Sequence, residues 1–261
     1  VKKLVGEFDT LSNQICTVGL GIPGFSSKES GLVTNANSMW LNNKPFKKDL
    51  EIALNRKVKL MNDANCFTLS EAVDGAGKDY QSIFGIIVGT GFGGALSYKK
   101  EIIEGANQIA GDWGHQPLPY PTKEEIETKI NCPSMNCGRP LCAEQFMSGI
   151  GFKDVFNQKH KTNFTSEEIA KLDLDGDPRA NSELSLYEDR MARLLAVMIG
   201  IFDPDAIILG GGMSNIDRFY VNIPTLIPKY TFSNKVKTKV LKNFHGDSSG
   251  VRGAAWLWNN V

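Results

Sequence analysis

Ser82-Ile83-Phe84-Gly85-Ile86-Ile87-Val88-Gly89-Thr90-Gly91-Phe92-Gly93-Gly94-Ala95-Leu96-Ser97-Tyr98 reads as a strand, a glycine turn and a second strand. The first seven residues form a buried-type apolar run. Gly89 to Gly94 then fits G-x-G-x-x-G. A dinucleotide-binding fold needs a helix to begin inside that motif. Here the chain continues into a strand, so the motif predicts a hairpin. Two readings of its glycines remain. They serve a tight turn that needs their backbone freedom, or their N–H groups approach a phosphate. Thr90 would add a hydroxyl donor.

Working outward, strands and helices alternate. Cys16–Leu20 reads as a strand that ends in glycines, and Lys57–Met61 alternates as a strand does. A helix pattern runs from Ala64 to about Val73, another from Leu184 to Phe202, stopping at Asp203-Pro204. Ala206–Leu209 is a buried strand ending at Gly210-Gly211-Gly212, and Gly250–Trp258 reads as a small-residue helix. A second G-x-G-x-x-G, Gly19 to Gly24, is interrupted by Pro23, and Phe25-Ser26-Ser27 after it reads as loop. Such alternation predicts an α/β fold with layered sheets.

Composition narrows the function. The 261 residues carry 29 basic and 29 acidic side chains, so no charge excess points to nucleic acid. No apolar run reaches the length of a membrane helix, and no signal peptide opens the chain. Five cysteines, three of them clustered, suit a metal site in a reducing cytosol better than a disulfide framework.

Two constellations carry chemistry. Asn62-Asp63-Ala64-Asn65 lies where a strand hands over to a helix. Asp63 is there either as the helix N-cap or as a general base at a strand's carboxyl end, kept ionised by the helix N-terminus. His115, Cys132, Cys137 and Cys142 form a complete tetrahedral zinc set. The thiols could instead be small buried hydrophobes. Four protein ligands leave no open position, so such a zinc would hold shape rather than activate water. Asp112 and Glu144 flank the cluster as acceptors for sugar hydroxyls or as solvated acids. His160 and His245 stand alone and read as packing or surface residues.

Taken in order, these motifs resemble the ROK family of bacterial sugar kinases and repressors. The resemblance rests on Gly21-Ile22-Pro23-Gly24, Asn62–Asn65, Gly89–Gly94, Gly111–His115, Cys137-Gly138 with Cys142-Ala143-Glu144, Ser148-Gly149, and Asp203-Pro204-Asp205 with Gly210–Gly212. Asn35–Leu41, Pro117–Pro119 and His245–Gly253 look like the fructokinase/mannokinase branch. The resemblance implies an actin-like, hexokinase/ribonuclease H-like α/β fold of two lobes with a central cleft. Residues 1–61 with 249–261 would form the smaller lobe, and 62–248 the larger. It implies transfer of the ATP γ-phosphoryl group, with Mg²⁺, to the 6-hydroxyl of a hexose. Fructose comes first, then mannose or glucose.

On this resemblance Asp63 is the catalytic base. Asn37, Asn62, Asp112, His115 and Glu144 bind sugar. Thr90, Gly91, Gly93 and Gly94, with Gly210, Gly211 and Gly212, bind the nucleotide. His115, Cys132, Cys137 and Cys142 hold a structural zinc. A cytoplasmic homodimer is the expected form. A sugar-binding relative without turnover is the alternative.

Three departures qualify the match. Met135 occupies the family's first cysteine position, so Cys132 is expected to supply the missing thiolate. Asp112 replaces a glutamate and reaches one methylene less far. The family's Asp-x-Gly-Gly-Thr phosphate hairpin has no counterpart before Val18: it lies upstream of this sequence or is lacking.

Overall fold

The computed structural model describes residues 1–128, 130–134, 137–233 and 235–259. Its elements run α1 (Lys2–Ser12), β1 (Val18–Ile22), β2 (Phe25–Ser26), β3 (Val33–Thr34), α2 (Phe46–Leu54), β4 (Val58–Asn62) and α3 (Asp63–Val73). Then come β5 (Ser82–Val88), β6 (Phe92–Tyr98), β7 (Glu101–Ile103), α4 (Lys123–Glu127), α5 (Ala143–Met147), α6 (Gly149–His160) and α7 (Ser166–Leu174). The chain finishes with α8 (Pro178–Phe202), β8 (Ala206–Gly210), α9 (Arg218–Leu226), β9 (Lys239–Lys242) and α10 (Ser249–Trp256).

The opening stretch is the hairpin its pattern predicts. β5 and β6 pair antiparallel from Ser82↔Tyr98 to Val88↔Phe92. They sit inside a five-stranded sheet of order β7-β6-β5-β8-β9, in which β8 is parallel to both neighbours. Alternate residues face opposite layers, as the pleat requires. Phe84, Ile86, Val88, Ile207 and Leu209 enter the main core with Tyr187 and Met191 of α8. Ile83 and Ile208 point the other way, onto Phe67 and Ala72 of α3. Both faces are covered, so these strands are apolar throughout.

A smaller two-stranded parallel sheet pairs β1 with β4. Val18 and Val58 pack there with Leu50 and Leu54 of α2, and Ile22 packs separately with Val33, Ala36 and Leu41. α10 crosses α3 with its backbone nearly touching. A Cβ at Gly253 would lie 1.7 Å from the Cys66 carbonyl oxygen, so only glycine fits.

Local chemistry moves some boundaries. α8 begins at Pro178, before the apolar periodicity at Leu184, because Asp177 accepts from the Arg179 N–H at 2.8 Å and proline occupies the first turn. Phe25-Ser26, expected as loop, is a short strand paired with Val33-Thr34.

Glu71 on α3 is fully buried and holds α10 in place. It accepts from Ala76 N–H at 2.9 Å, Phe244 N–H at 3.0 Å and Ser249 Oγ–H at 2.7 Å. Glutamine would turn a donor toward these donors and leave some unmet. Glu71→Gln is expected to lower unfolding free energy by about 2 kcal/mol, read by urea denaturation. A loss below about 0.5 kcal/mol would show that the carboxylate is not the tie.

Candidate functional site

α3 runs antiparallel to β5, which fixes where its first residue lies. A Cβ at Gly77, just past the helix, would meet Ile83 Cδ1 at 2.3 Å. A Cβ at Gly85 would meet Thr68 Oγ1 at 2.1 Å, and one at Gly210 would meet the Phe67 ring at 2.4 Å. Asp63 lies further along the same line. At about 1.5 Å rise per helical residue and about 3.3 Å per strand residue, it comes level with the carboxyl ends of β5 and β8. It also directly follows β4, so both sheets deliver their carboxyl ends to it.

The helix N-cap is Asn62, not Asp63. Asn62 Oδ1 accepts from Ala64 N–H at 2.9 Å and Asn65 N–H at 3.3 Å. Its amide Nδ2 donates to the Gly24 carbonyl at 3.1 Å, tying the β1–β2 turn to the site. Asp63 occupies the first helical position, where its Oδ1 accepts from the Ala64 N–H at 2.8 Å. Its carboxylate remains open to solvent. Protein on its other sides strips hydration and raises its pKa above the usual carboxylate value, against the lowering effect of the Ala64 N–H. Desolvation is the larger effect, so the carboxyl ionises at a higher pH than an ordinary aspartate. Beneath it, burial pushes the Cys66 thiol up to about 12, so that sulfur stays protonated.

The glycine turn is braced from behind. Gly89 N–H donates to Gly91 O at 3.0 Å, and Gly149 N–H at the start of α6 donates to Gly89 O at 2.7 Å. Gly211 closes the β8 side with φ of 82°, its Cα so near β5 that a Cβ would sit 2.5 Å from Val88 O. Gly89–Gly94 and Gly210–Gly212 therefore form one surface. Thr90 and Gly212 are exposed on it.

The third wall is a strap. Residues 114–118 zip against 141–144 through Leu118 N–H to Leu141 O, Ala143 N–H to Gln116 O and Glu144 N–H to Gly114 O, each 2.8 Å. Glu144 is thereby buried, and its Oε2 accepts from Phe92 N–H at 3.1 Å, beside the glycine turn. The same zip brings His115 Nδ1 to 3.4 Å from Cys142 Sγ. Cys132 Sγ lies 4.0 Å from that nitrogen.

Ligand atoms of His115, Cys132, Cys137 and Cys142 all lie within 4.8 Å of one another. Sulfurs around a tetrahedral zinc stand about 3.8 Å apart, so the donor set fits with a small contraction. Cys132 thus joins the cluster. Met135 lies outside the described residues. Burial pushes the Cys142 thiol up to about 11 and Cys132 higher still. A divalent cation would draw those protons off.

Asp112 and Asn37 are exposed and make no side-chain hydrogen bond among the described residues, leaving both open to a ligand. Asn37 follows Ala36, whose peptide is bracketed by the Asn42 amide at 2.9 Å on both sides. His245 pairs with Asp74 at 3.0 Å, and His160 packs on Phe156, so neither joins the site.

The residues that brace the strap escaped the sequence reading. Arg193 Nη1 donates at 2.8 Å to the carbonyls of both Pro119 and Tyr120, and Nη2 binds Glu125 at 2.7 Å. Arg190 Nε adds a bond to Glu125 at 2.8 Å. All three side chains are buried. The available signal was Arg190 and Arg193 three apart on an apolar helix face, a spacing that also suits a solvated stripe.

Two sheets that meet at a helix-borne carboxylate, over a glycine hairpin, define an actin-like α/β fold. A ROK hexokinase from Thermus thermophilus superposes with a TM-score of 0.81 at 23% identity, covering 97% of this chain and 82% of that one. A ROK family glucokinase from Streptomyces griseus, solved with glucose and AMPPNP, gives 0.78 at 22% identity, covering 98% and 88%. At these identities the likeness speaks for the fold. The ROK family model matches residues 1–261. The N-acetyl-D-glucosamine kinase of Vibrio cholerae is 37% identical over 254 residues, 97% of this chain and 84% of that protein. The chain belongs to the ROK family. No helix among its described residues is long and apolar enough to cross a membrane.

Proposed function

We propose that the protein transfers the γ-phosphoryl group of ATP to the 6-hydroxyl of a hexose, with N-acetyl-D-glucosamine the first candidate. One observation carries the reading. The Asp63 carboxylate opens to solvent at the carboxyl ends of both sheets, level with the end of β5 where the glycine turn begins.

In this reading Asp63 accepts the proton of the sugar hydroxyl as its oxygen attacks the γ-phosphorus, and ADP leaves. Exposed N–H groups of the Gly89–Gly94 turn and the Thr90 hydroxyl hold phosphate oxygens. Gly210–Gly212 lie on the nucleotide side, and Mg²⁺ accompanies the phosphates. Asn37, Asn62, Asp112, His115 and Glu144 receive sugar hydroxyls. Zinc, when bound to His115, Cys132, Cys137 and Cys142, holds the strap together and takes no part in the transfer.

The lobe division at 1–61 with 249–261 against 62–248 is part of the reading, supported by the separate small cores. So is a cytoplasmic homodimer, which light scattering tests. N-Acetyl-D-glucosamine leads because the 37% identical relative is named for it. Fructose, mannose and glucose follow. An ATP-coupled assay across these sugars is expected to rank N-acetyl-D-glucosamine first in kcat/KM. A higher value for fructose would return the substrate to that branch. Saturable sugar binding without ADP release would mark a binding protein instead.

A further inference from the structure

The hairpin formed by β2 and β3 touches a distant loop in a way the transfer chemistry does not require. Gln108 lies in the loop that follows β7 and leads into Asp112 and His115. Its Oε1 accepts from Lys28 N–H at 3.1 Å, and its Nε2 donates to Ser26 O at 3.3 Å. One primary amide thus meets both the N–H and the C=O of an extended backbone, as a neighbouring strand would. Lys28 also ion-pairs with Glu104 at the loop's start.

The two sides belong to opposite walls of the site. The β2–β3 hairpin grows from Gly24, whose carbonyl is held by Asn62, the cap beside Asp63. The Gln108 loop is anchored on β6: a Cβ at Gly111 would strike Ala95 Cα at 2.7 Å. Gln108 is itself held at a φ of 58°, unusual outside glycine, and Gly105 precedes it at 74°. The Ala110 N–H to Glu104 O bond, at 3.1 Å, closes this turn and keeps the amide aimed outward.

We propose that Gln108 is a positioning residue that straps the Asp63 wall to the Asp112–His115 wall and so sets sugar affinity. This inference rests on the sugar-kinase reading. A sugar held by both walls gains from their being already joined, because less ordering remains at binding. The bond is made to the backbone of the β2–β3 hairpin by the loop that leads into Asp112 and His115, the residues this reading assigns to the sugar. It therefore bears on sugar binding and not on the nucleotide.

The test uses the purified chain with N-acetyl-D-glucosamine. Gln108→Ala is expected to raise the sugar KM about tenfold, the worth of one to two neutral hydrogen bonds. kcat and the ATP KM should stay within about threefold. Gln108→Glu, which keeps an acceptor for Lys28 N–H but loses the donor to Ser26 O, should fall between. A sugar KM within twofold of the parent, or a joint rise of sugar and ATP KM, would overturn the proposal. If the parent binds the sugar without turnover, the same tenfold difference is sought in Kd by calorimetry, and an unchanged Kd sinks the strap alone. If the parent binds none of the four sugars, the kinase reading fails first and the strap falls with it.

Discussion

Asp63→Asn is expected to lower kcat by about 10³-fold, the scale of a lost general base. Asparagine keeps the shape of the side chain and can still accept from the Ala64 N–H, but its amide cannot take a proton. Folding should be nearly untouched, because Asn62 and not Asp63 caps α3. The melting temperature is therefore expected within about 2 °C of the parent, and the sugar KM within about threefold.

The pH profile supplies a second reading of the same residue. Desolvation raises the Asp63 carboxyl. Only the ionised form accepts a proton, so activity is full above the raised pKa and falls as pH drops through it. The acid limb should lie above the ordinary aspartate value of about 4, and the residual activity of Asp63→Asn should lack it. A kcat within tenfold of the parent, or an unchanged acid limb in the variant, would remove Asp63 from the chemistry.

Stripping zinc is the second large perturbation. The clustered His115, Cys132, Cys137 and Cys142 predict about one zinc per chain by elemental analysis. A site held a thousandfold above its dissociation constant adds about 4 kcal/mol, worth about 10 °C in a chain of this size. A strong chelator should lower the melting temperature by that amount. It should also raise the sugar KM, since His115 and Cys142 lie on the two segments whose pairing buries Glu144. Cys142→Ser should reproduce both effects without chelator. Cys132→Ser singles out the substitute ligand: retained stoichiometric zinc in that variant would exclude Cys132 from the site. Arg193 and Glu125 grip residues 119–125 independently of metal, so the apo protein should stay folded, with near-parental helical circular dichroism.

Much of the site was legible because its signals are local. The hairpin at Gly89 is read from the apolar pattern on both its sides, without reference to any other segment. Asp63 is marked by the junction of a strand and a helix. The cysteines and His115 are close enough in sequence for one loop to gather them. The start of α8 was hidden for the opposite reason. Its first turn is polar and is set by Asp177 and Pro178 rather than by periodicity. The identity of the α3 cap was equally ambiguous, since Asn62 and Asp63 are both good caps and only the backbone geometry chooses between them.

By itself the sequence determined the alternation of strands and helices, the family, and which side chains could accept protons, hold phosphate or bind metal. These depend on residue type and near spacing. Tertiary structure alone decided that α3 runs antiparallel to β5 and so carries Asp63 to the glycine turn. It also decided that Arg190, Arg193 and Glu125 are buried behind the strap, and that Gln108 meets the backbone of Ser26 and Lys28. Each of those contacts joins segments far apart in the chain. Desolvation and hydrogen bonding between such segments arise only once the layers have packed, and a periodic pattern carries no record of them.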